Sequence, residues 1–344
     1  MNDTPHSPRD RAADLQLDAC LHELAGLGPN PALSARILEA AARGRPLFAP
    51  RPAIAGRHTH WLFAAALLLG TGVVASVAWL RNHESQAPAA LPAPQDPAPA
   101  PKPAPKPWYT LVADYSENRV VEYDEQGKVT FELDEVFGAW DAEALANGNV
   151  LMTEFSVSRV REVDRTGKTV WTFEDLKNPY DADRLPNGNT LIADTFGSRV
   201  IEVDAKGKIV WSFEKDIRPF DCDRLANGNT LIADVLKDRV IEVSPVGEIV
   251  WEVKNMPNCH DADRLKNGNT LITLRNKGAV VEVDADGQVL WELKNLSSPS
   301  DADRLPNGNT LVAENTRVRE FDRDGKVVAE IKAVWAVEAN RYQR

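Results

Sequence analysis

The sequence predicts an all-β fold, six four-stranded sheets arranged in a closed ring. Three observations predict it. The phrase Asp-Ala-Asp-Arg-Leu-x-Asn-Gly-Asn-Thr-Leu, or a close variant, returns every 40 residues, its Asn-Gly-Asn cores starting at Asn147, Asn187, Asn227, Asn267 and Asn307. A second turn, Asp/Ser-x-x-Gly, occurs six times and ends at Gly127, Gly167, Gly207, Gly247, Gly287 and Gly325. Between these turns the chain alternates apolar and polar residues at the period of half-buried strands, with no helical period. A fixed repeat of this length marks a solenoid, propeller or array. Four antiparallel strands in about 40 residues is one propeller blade.

One repeat shows the elements in order. Asp181 to Leu185 is the first strand. Asn187-Gly188 is a hairpin signal that calls for positive φ at both turn residues. Thr190 to Ala193 is the second strand, and Asp194 to Ser198 the loop after it. Arg199 to Val203 alternates as a third strand, Gly207 closes a tight turn, and Ile209 to Phe213 is the fourth. The Asn-Gly-Asn turn is missing from the N-terminal repeat, where Tyr109 to Asp114 matches a second strand with no first strand before it. The tail Ala333 to Ala339 holds Trp-x-x-Glu-Ala, which echoes Trp140 to Ala144 at the entry of a first strand. The tail therefore supplies the missing strand and closes a ring of six blades, removing the open edge.

Four segments are predicted: a leader 1–60, an apolar run 61–80, a Pro/Ala-rich linker 81–107 and the propeller 108–344. Residues 61–80 carry no charge, and that length of helix spans a bilayer core. Arg43, Arg45, Arg51 and Arg57 precede it and only Arg81 follows closely. The positive-inside rule then places the leader in the cytoplasm and the propeller outside it, an arrangement that fits the inner membrane of a bacterium with the propeller periplasmic. A cleavable signal peptide ending near Ala78 is the rival, against which the long leader argues. The linker, with nine prolines in 86–107, is a semi-rigid spacer of about 60 Å at ~3.1 Å per residue. The leader holds one short helix signal at Leu33–Ala41. It resembles the cytoplasmic heads of single-span regulators, or serves only as a topogenic tail.

Residues 108–344 hold 30 basic and 43 acidic side chains. That field argues against nucleic acid or anionic lipid as a propeller partner. Cys222 and Cys259 fall in neighbouring blades, where a disulfide is permitted. Cys222 alternatively fills the Ala position of the repeat as core. Trp171, Trp211, Trp251 and Trp291 recur on the fourth strand, which reads as packing between sheets. A carboxylate ending the second strand is paired with an arginine opening the third: Asp114/Arg119, Glu154/Arg159, Asp194/Arg199, Asp234/Arg239 and Glu314/Arg317. In the remaining blade both are replaced, by Leu274 and Ala279, as a mutual bridge predicts. The first-strand acids lie at i, i+2 and share one face. Asp181, Asp221, Asp261 and Asp301 offer oxygen ligands for a hard cation such as Ca²⁺. The rival is pairing with the repeated Arg184, Arg224, Arg264 and Arg304, or with backbone N–H groups between blades. No cofactor motif is present.

One position refuses to repeat. The residue before the first-strand Asp is Trp140, Tyr180, Phe220, His260 or Ser300. It belongs at the channel mouth, beside Tyr115, Phe155 and Phe196 of the loops after the second strands. This aromatic rim with one histidine is the candidate binding surface for a protein or small ligand, unless its members plug the channel and pack on one another.

The string from His260 through Asn269, His-Asp-Ala-Asp-Arg-Leu-Lys-Asn-Gly-Asn, resembles the His-Asp…Leu-Pro-Asn-Gly-Asn phrase of bacterial arylsulfotransferase propellers. Val-Ile-Glu-Val-Asp…Gly-Lys-Ile-Val-Trp resembles pyrroloquinoline-quinone-like repeats. The resemblance covers about 108–344 and implies the propeller fold. It also implies His260 as a nucleophile that accepts a sulfuryl group, with further histidines and an arginine binding sulfate. His260 is the only histidine in 108–344. Two functions follow: a membrane-anchored extracytoplasmic binding module with an envelope protein or small ligand as partner, or an arylsulfotransferase-like enzyme. A sensor signalling to the leader is a third.

Overall fold

The computed structural model describes residues 106–344. The predicted leader, the apolar run 61–80 and nearly all of the linker lie outside them. Among the described residues no helix is long and apolar enough to cross a membrane.

The described chain forms six four-stranded antiparallel sheets, one per repeat. In the third blade the strands are Asp181–Arg184, Thr190–Asp194, Arg199–Val203 and Ile209–Phe213. The first blade is assembled from both ends of the described chain. Strand Ala336–Gln343 pairs antiparallel with Trp108–Asp114, from Trp108↔Gln343 to Asp114↔Ala336. The tail thus supplies the missing innermost strand, as predicted, but two residues out of the register of its Trp-x-x-Glu-Ala echo: Ala339 faces Val112 as Ala142 faces Met152, whereas the echo aligns Ala339 with Ala144. It also brings bonding of its own. In the other blades two asparagines of the Asn-Gly-Asn turn bond the third-strand glutamate; in the closing blade Glu122 instead accepts from Tyr342 and Arg344.

The Asn-Gly turns differ from the prediction. Gly188 has φ +85°, but Asn187 stays at negative φ. The Gly188 amide donates to the Leu185 carbonyl at 2.9 Å, and the Leu185 amide to that of Asn189 at 2.9 Å. This is a type I turn closed by a left-handed glycine, the three-residue hairpin loop. It is favoured because Pro186 fixes a negative φ at the first corner and Asn187 Oδ1 accepts the Asn189 amide at 2.9 Å. Three of the loops after second strands contain a short 3-10 turn, Phe155–Val157, Thr195–Gly197 and Arg275–Lys277.

The core lies between sheets. Leu191, Ala193, Val200 and Phe213 of blade three pack on Cys222, Ile232 and Ile241 of blade four, and equivalent clusters fill neighbouring joints. Cys222 and Cys259 are both free thiols in this core, so the disulfide that the sequence permits is not formed. Trp211 and Trp251 donate their indole N–H to carbonyls of the next blade, Pro245 at 2.9 Å and Ala285 at 2.7 Å. The repeated tryptophans are packing residues, as their recurrence predicts.

The repeated arginines do not pair with the first-strand acids. Arg224 lies over the Trp211 ring of the preceding blade, 4.8 Å from its centroid, and donates to Glu202 at 2.9 Å. Arg184, Arg264 and Arg304 repeat the arrangement on Glu162, Glu242 and Glu282. Those glutamates sit on third strands, 22 residues before their arginines and outside the recurring phrase. The five carboxylate–arginine pairs across the upper loops do form. They are not surface bridges, however: Asp194 is fully buried and its second oxygen accepts the Lys177 amide at 2.6 Å.

Candidate functional site

The innermost strands surround the axis, and their side chains line a cavity of about 210 Å³. Alternation would send Trp140, Tyr180, Phe220 and His260 to the opposite face from the acids that follow them. A register shift prevents this. The ladder jumps between Pro219 and Asp221, between Cys259 and Asp261, and between Ala139 and Ala142. A bulge inserts one residue and turns the strand locally, so in these three blades the variable residue and both acids face the same channel, and Tyr180 and Ser300 line it as well.

The variable residues form one ring. Trp140 stacks on Tyr180 with centroids 4.1 Å apart. Tyr180 meets Phe220 at 4.3 Å, and Phe220 meets His260 edge-on at 4.6 Å. Ser300 and Val337 complete the cavity lining at this level. Outside the ring, Tyr115 packs on Trp140 at 5.2 Å, Phe155 on Tyr180 at 5.1 Å and Phe196 on Phe155 at 6.0 Å. The structure brings the whole predicted rim together as one cluster. Most of it is buried: Tyr180, Phe220, His260 and Phe155 are all less than a tenth exposed. The aromatics therefore pack on one another, and Trp140, Tyr115 and Phe196 retain partial exposure.

Below the aromatics lie two tiers of acids. The upper tier staples the ring. Asp141 accepts the Ala182 amide of the next blade at 3.1 Å, Asp181 that of Cys222 at 3.0 Å, Asp221 that of Ala262 at 3.0 Å, and Asp261 that of Ala302 at 2.9 Å. Asp301 carries the pattern onto the tail, accepting the Ala339 amide at 3.0 Å. Of the two partners considered for these acids, the backbone amide is the one used. The lower tier is Glu143, Asp183, Asp223, Asp263 and Asp303, joined by Asn340; Glu338 adds an acid from the tail. Sequence reasoning missed Glu338 and Asn340 because the closing blade lacks the recurring phrase.

Burial dominates the electrostatics. It pushes the Asp181 carboxyl up to about 7, helped by Asp223. Burial raises Asp223 and Asp303 to about 6, and Asp221, Asp261 and Asp301 well above the usual range. His260 is held well below its ordinary value by burial, with Arg275 adding repulsion. Its imidazole is therefore neutral, the nucleophilic form. Arg275, also buried, donates to the Ser298 carbonyl at 3.0 Å; no motif marked it. Among the described residues no three acid, histidine or cysteine side chains converge to hold a metal ion.

Fold and axis together define a repeat-built six-bladed propeller. A family model, the pyrroloquinoline-quinone-like repeat described as outer membrane protein assembly factor BamB, matches residues 156–334. That is over half of the chain, and the chain belongs to this family. No curated protein matches it. Among solved structures, a protein of unknown function from Bacteroides caccae is 19% identical, with a TM-score of 0.61 over 69% of this chain and 100% of its own. Virginiamycin B lyase from Staphylococcus aureus is 14% identical, with a TM-score of 0.51 over 66% of this chain and 84% of its own. A chain of a nidogen–laminin complex is 12% identical, with a TM-score of 0.57 over 68% of this chain and 98% of its own. At these identities the likeness is one of fold.

Proposed function

We propose that this protein is a membrane-anchored, extracytoplasmic propeller that docks an envelope protein on the face made by its upper loops. One observation carries the reading. The loops after second strands and those between blades emerge on the same end of the ring, and there Phe137, Val157, Leu236 and Val334 stand 46–50% exposed. Apolar side chains gathered around one end, with partly exposed Trp140 and Phe196 inside them, make a surface of the kind that partner proteins cover. The membership in an assembly-factor family agrees with it. The anchor is the uncharged run 61–80, and the linker would hold the ring away from the bilayer.

The test is site-specific photo-crosslinking of the full chain in cells. A photoreactive residue at Phe137 or Leu236 is expected to give a discrete adduct, and one at Val246, 82% exposed on the opposite end, none. Adducts from Val246 alone, or from no position, would overturn the reading. The arylsulfotransferase-like alternative asks an anionic ester to reach His260 in a cavity lined by carboxyl groups. Turnover of an aryl sulfate by the full chain, lost in His260→Ala, would carry that alternative instead.

A further inference from the structure

We propose that the axial cavity is a binding site for a small organic cation, an ammonium group on a compact apolar body. The inference does not rest on the loop-face reading, and its test leaves the loops untouched. The cavity has two chemistries stacked along one axis. Trp140, Tyr180 and Phe220 wall its upper part, and aromatic faces attract cations through their quadrupole. The two carboxyl tiers line the part below. An ammonium placed between them meets the aromatic cluster above and hydrogen-bond acceptors below, and its carbon body packs beneath the rings that line the cavity.

A second observation points to a missing occupant. Ser300 is 5% exposed, lines the cavity, and its Oγ has no hydrogen-bond partner among the described residues. Buried polar groups are mostly paired; the hydroxyls of Thr190, Thr230, Thr270 and Thr310 also have no partner, but Ser300 Oγ is the one among them that lines the cavity, where a donor from outside fits. Ser300 is also where the aromatic run ends. Its small side chain leaves open the sector that a fifth ring would fill.

Other ligand classes fit less well. A carboxylate, sulfate or phosphate would face the acids. A hard metal ion needs convergent oxygens, yet no such trio exists among the described residues. One oxygen of each of Asp141, Asp181, Asp221, Asp261 and Asp301 is already committed to a neighbouring amide, and the aromatic wall offers no metal ligand. The volume, about 210 Å³, is below the roughly 300–1,000 Å³ of pockets for drug-sized molecules. The ligand is therefore small.

Isothermal titration of the full chain with 2-phenylethylammonium, 2-phenylethanol and CaCl₂ at neutral pH tests this. Saturable binding of the ammonium and none of the neutral alcohol is expected. Trp140→Leu should weaken it about tenfold, between the values of an exposed and a desolvated cation–π contact. Asp223→Asn keeps the shape of the cavity and should weaken it as well. Unfolding curves of the unliganded variants separate lost binding from lost folding; Ser300→Ala, which removes only an unpaired hydroxyl, is the control expected to keep the fold and lose affinity. Equal binding of alcohol and ammonium, saturation by Ca²⁺ alone, or ammonium binding unchanged in all three variants would overturn the proposal.

Discussion

At the scale of single residues, the recurring phrase is a wiring diagram for the joint between blades. Asn187 and Asn189 both donate to one oxygen of Glu202, at 3.1 and 2.6 Å. The other oxygen takes Arg224 of the next blade, and Arg224 covers Trp211. Five recurring residues, four of one blade and one of the next, thus form one circuit. Glu202→Ala should cost about 2–4 kcal/mol in a denaturant titration, since it strands several donors at once. Asp194→Ala should cost about 3 kcal/mol for a like reason: it removes a fully buried carboxylate that holds both the Arg199 guanidinium and a loop amide. Arg199→Ala, whose partner keeps that amide, should cost clearly less. The Asp194/Arg199 pairing was legible because both members vanish together in blade five. The Glu202 connection was not, because its partners lie 13 to 22 residues away, the asparagines in its own blade and Arg224 in the next.

At the scale of elements, strand and turn order was readable from period alone, and turn conformation was not. Asn-Gly signals a hairpin, but Pro186 and the Asn187 side chain select the type I form. The bulges had no sequence signature either. Alternation, applied strictly, would have separated His260 from Asp261; only the register shift puts both in the channel. The loop of blade five shows how local geometry decides a residue. Ser158 and Ser198 end their 3-10 turns at φ 55°, whereas Gly278 does so at φ 58° with the Leu296 carbonyl 2.6 Å from where a Cβ would sit. Serine is tolerated at the first two positions and excluded at the third. Gly278→Ala should therefore lower stability by about 1–3 kcal/mol, measured as a shift in the thermal midpoint.

At the scale of the molecule, two properties follow from closing a ring around buried acids. Removing residues 333–344 exposes the edge of Trp108–Asp114 along its whole length, and the truncated chain should lose its single cooperative unfolding transition and aggregate. The acids set the pH dependence. Their folded values lie above the unfolded ones, so the folded state holds extra protons and their contribution is complete below about 4. It is lost as pH rises through about 6 for Asp223 and Asp303 and about 7 for Asp181. Glu122, Glu282 and Glu320 work in the other direction, their values being lowered, but only below their usual 4.5. The midpoint of unfolding should then be higher at pH 5 than at pH 8, by at least about 4 °C.

Trp108 and Gln343 are registered partners, so both ends of the described chain leave from the same corner of the ring. The second strand runs from there toward the upper loops, which open on the far side. A pull between the linker and anything held by those loops would therefore act along the strands. Ladder bonds lie across that direction and would share the load side by side instead of opening one after another. Pulled apart at its two ends, the same joint would unzip from Trp108 upward. The fold is thus built to resist tension transmitted through it and to yield to tension across its seam.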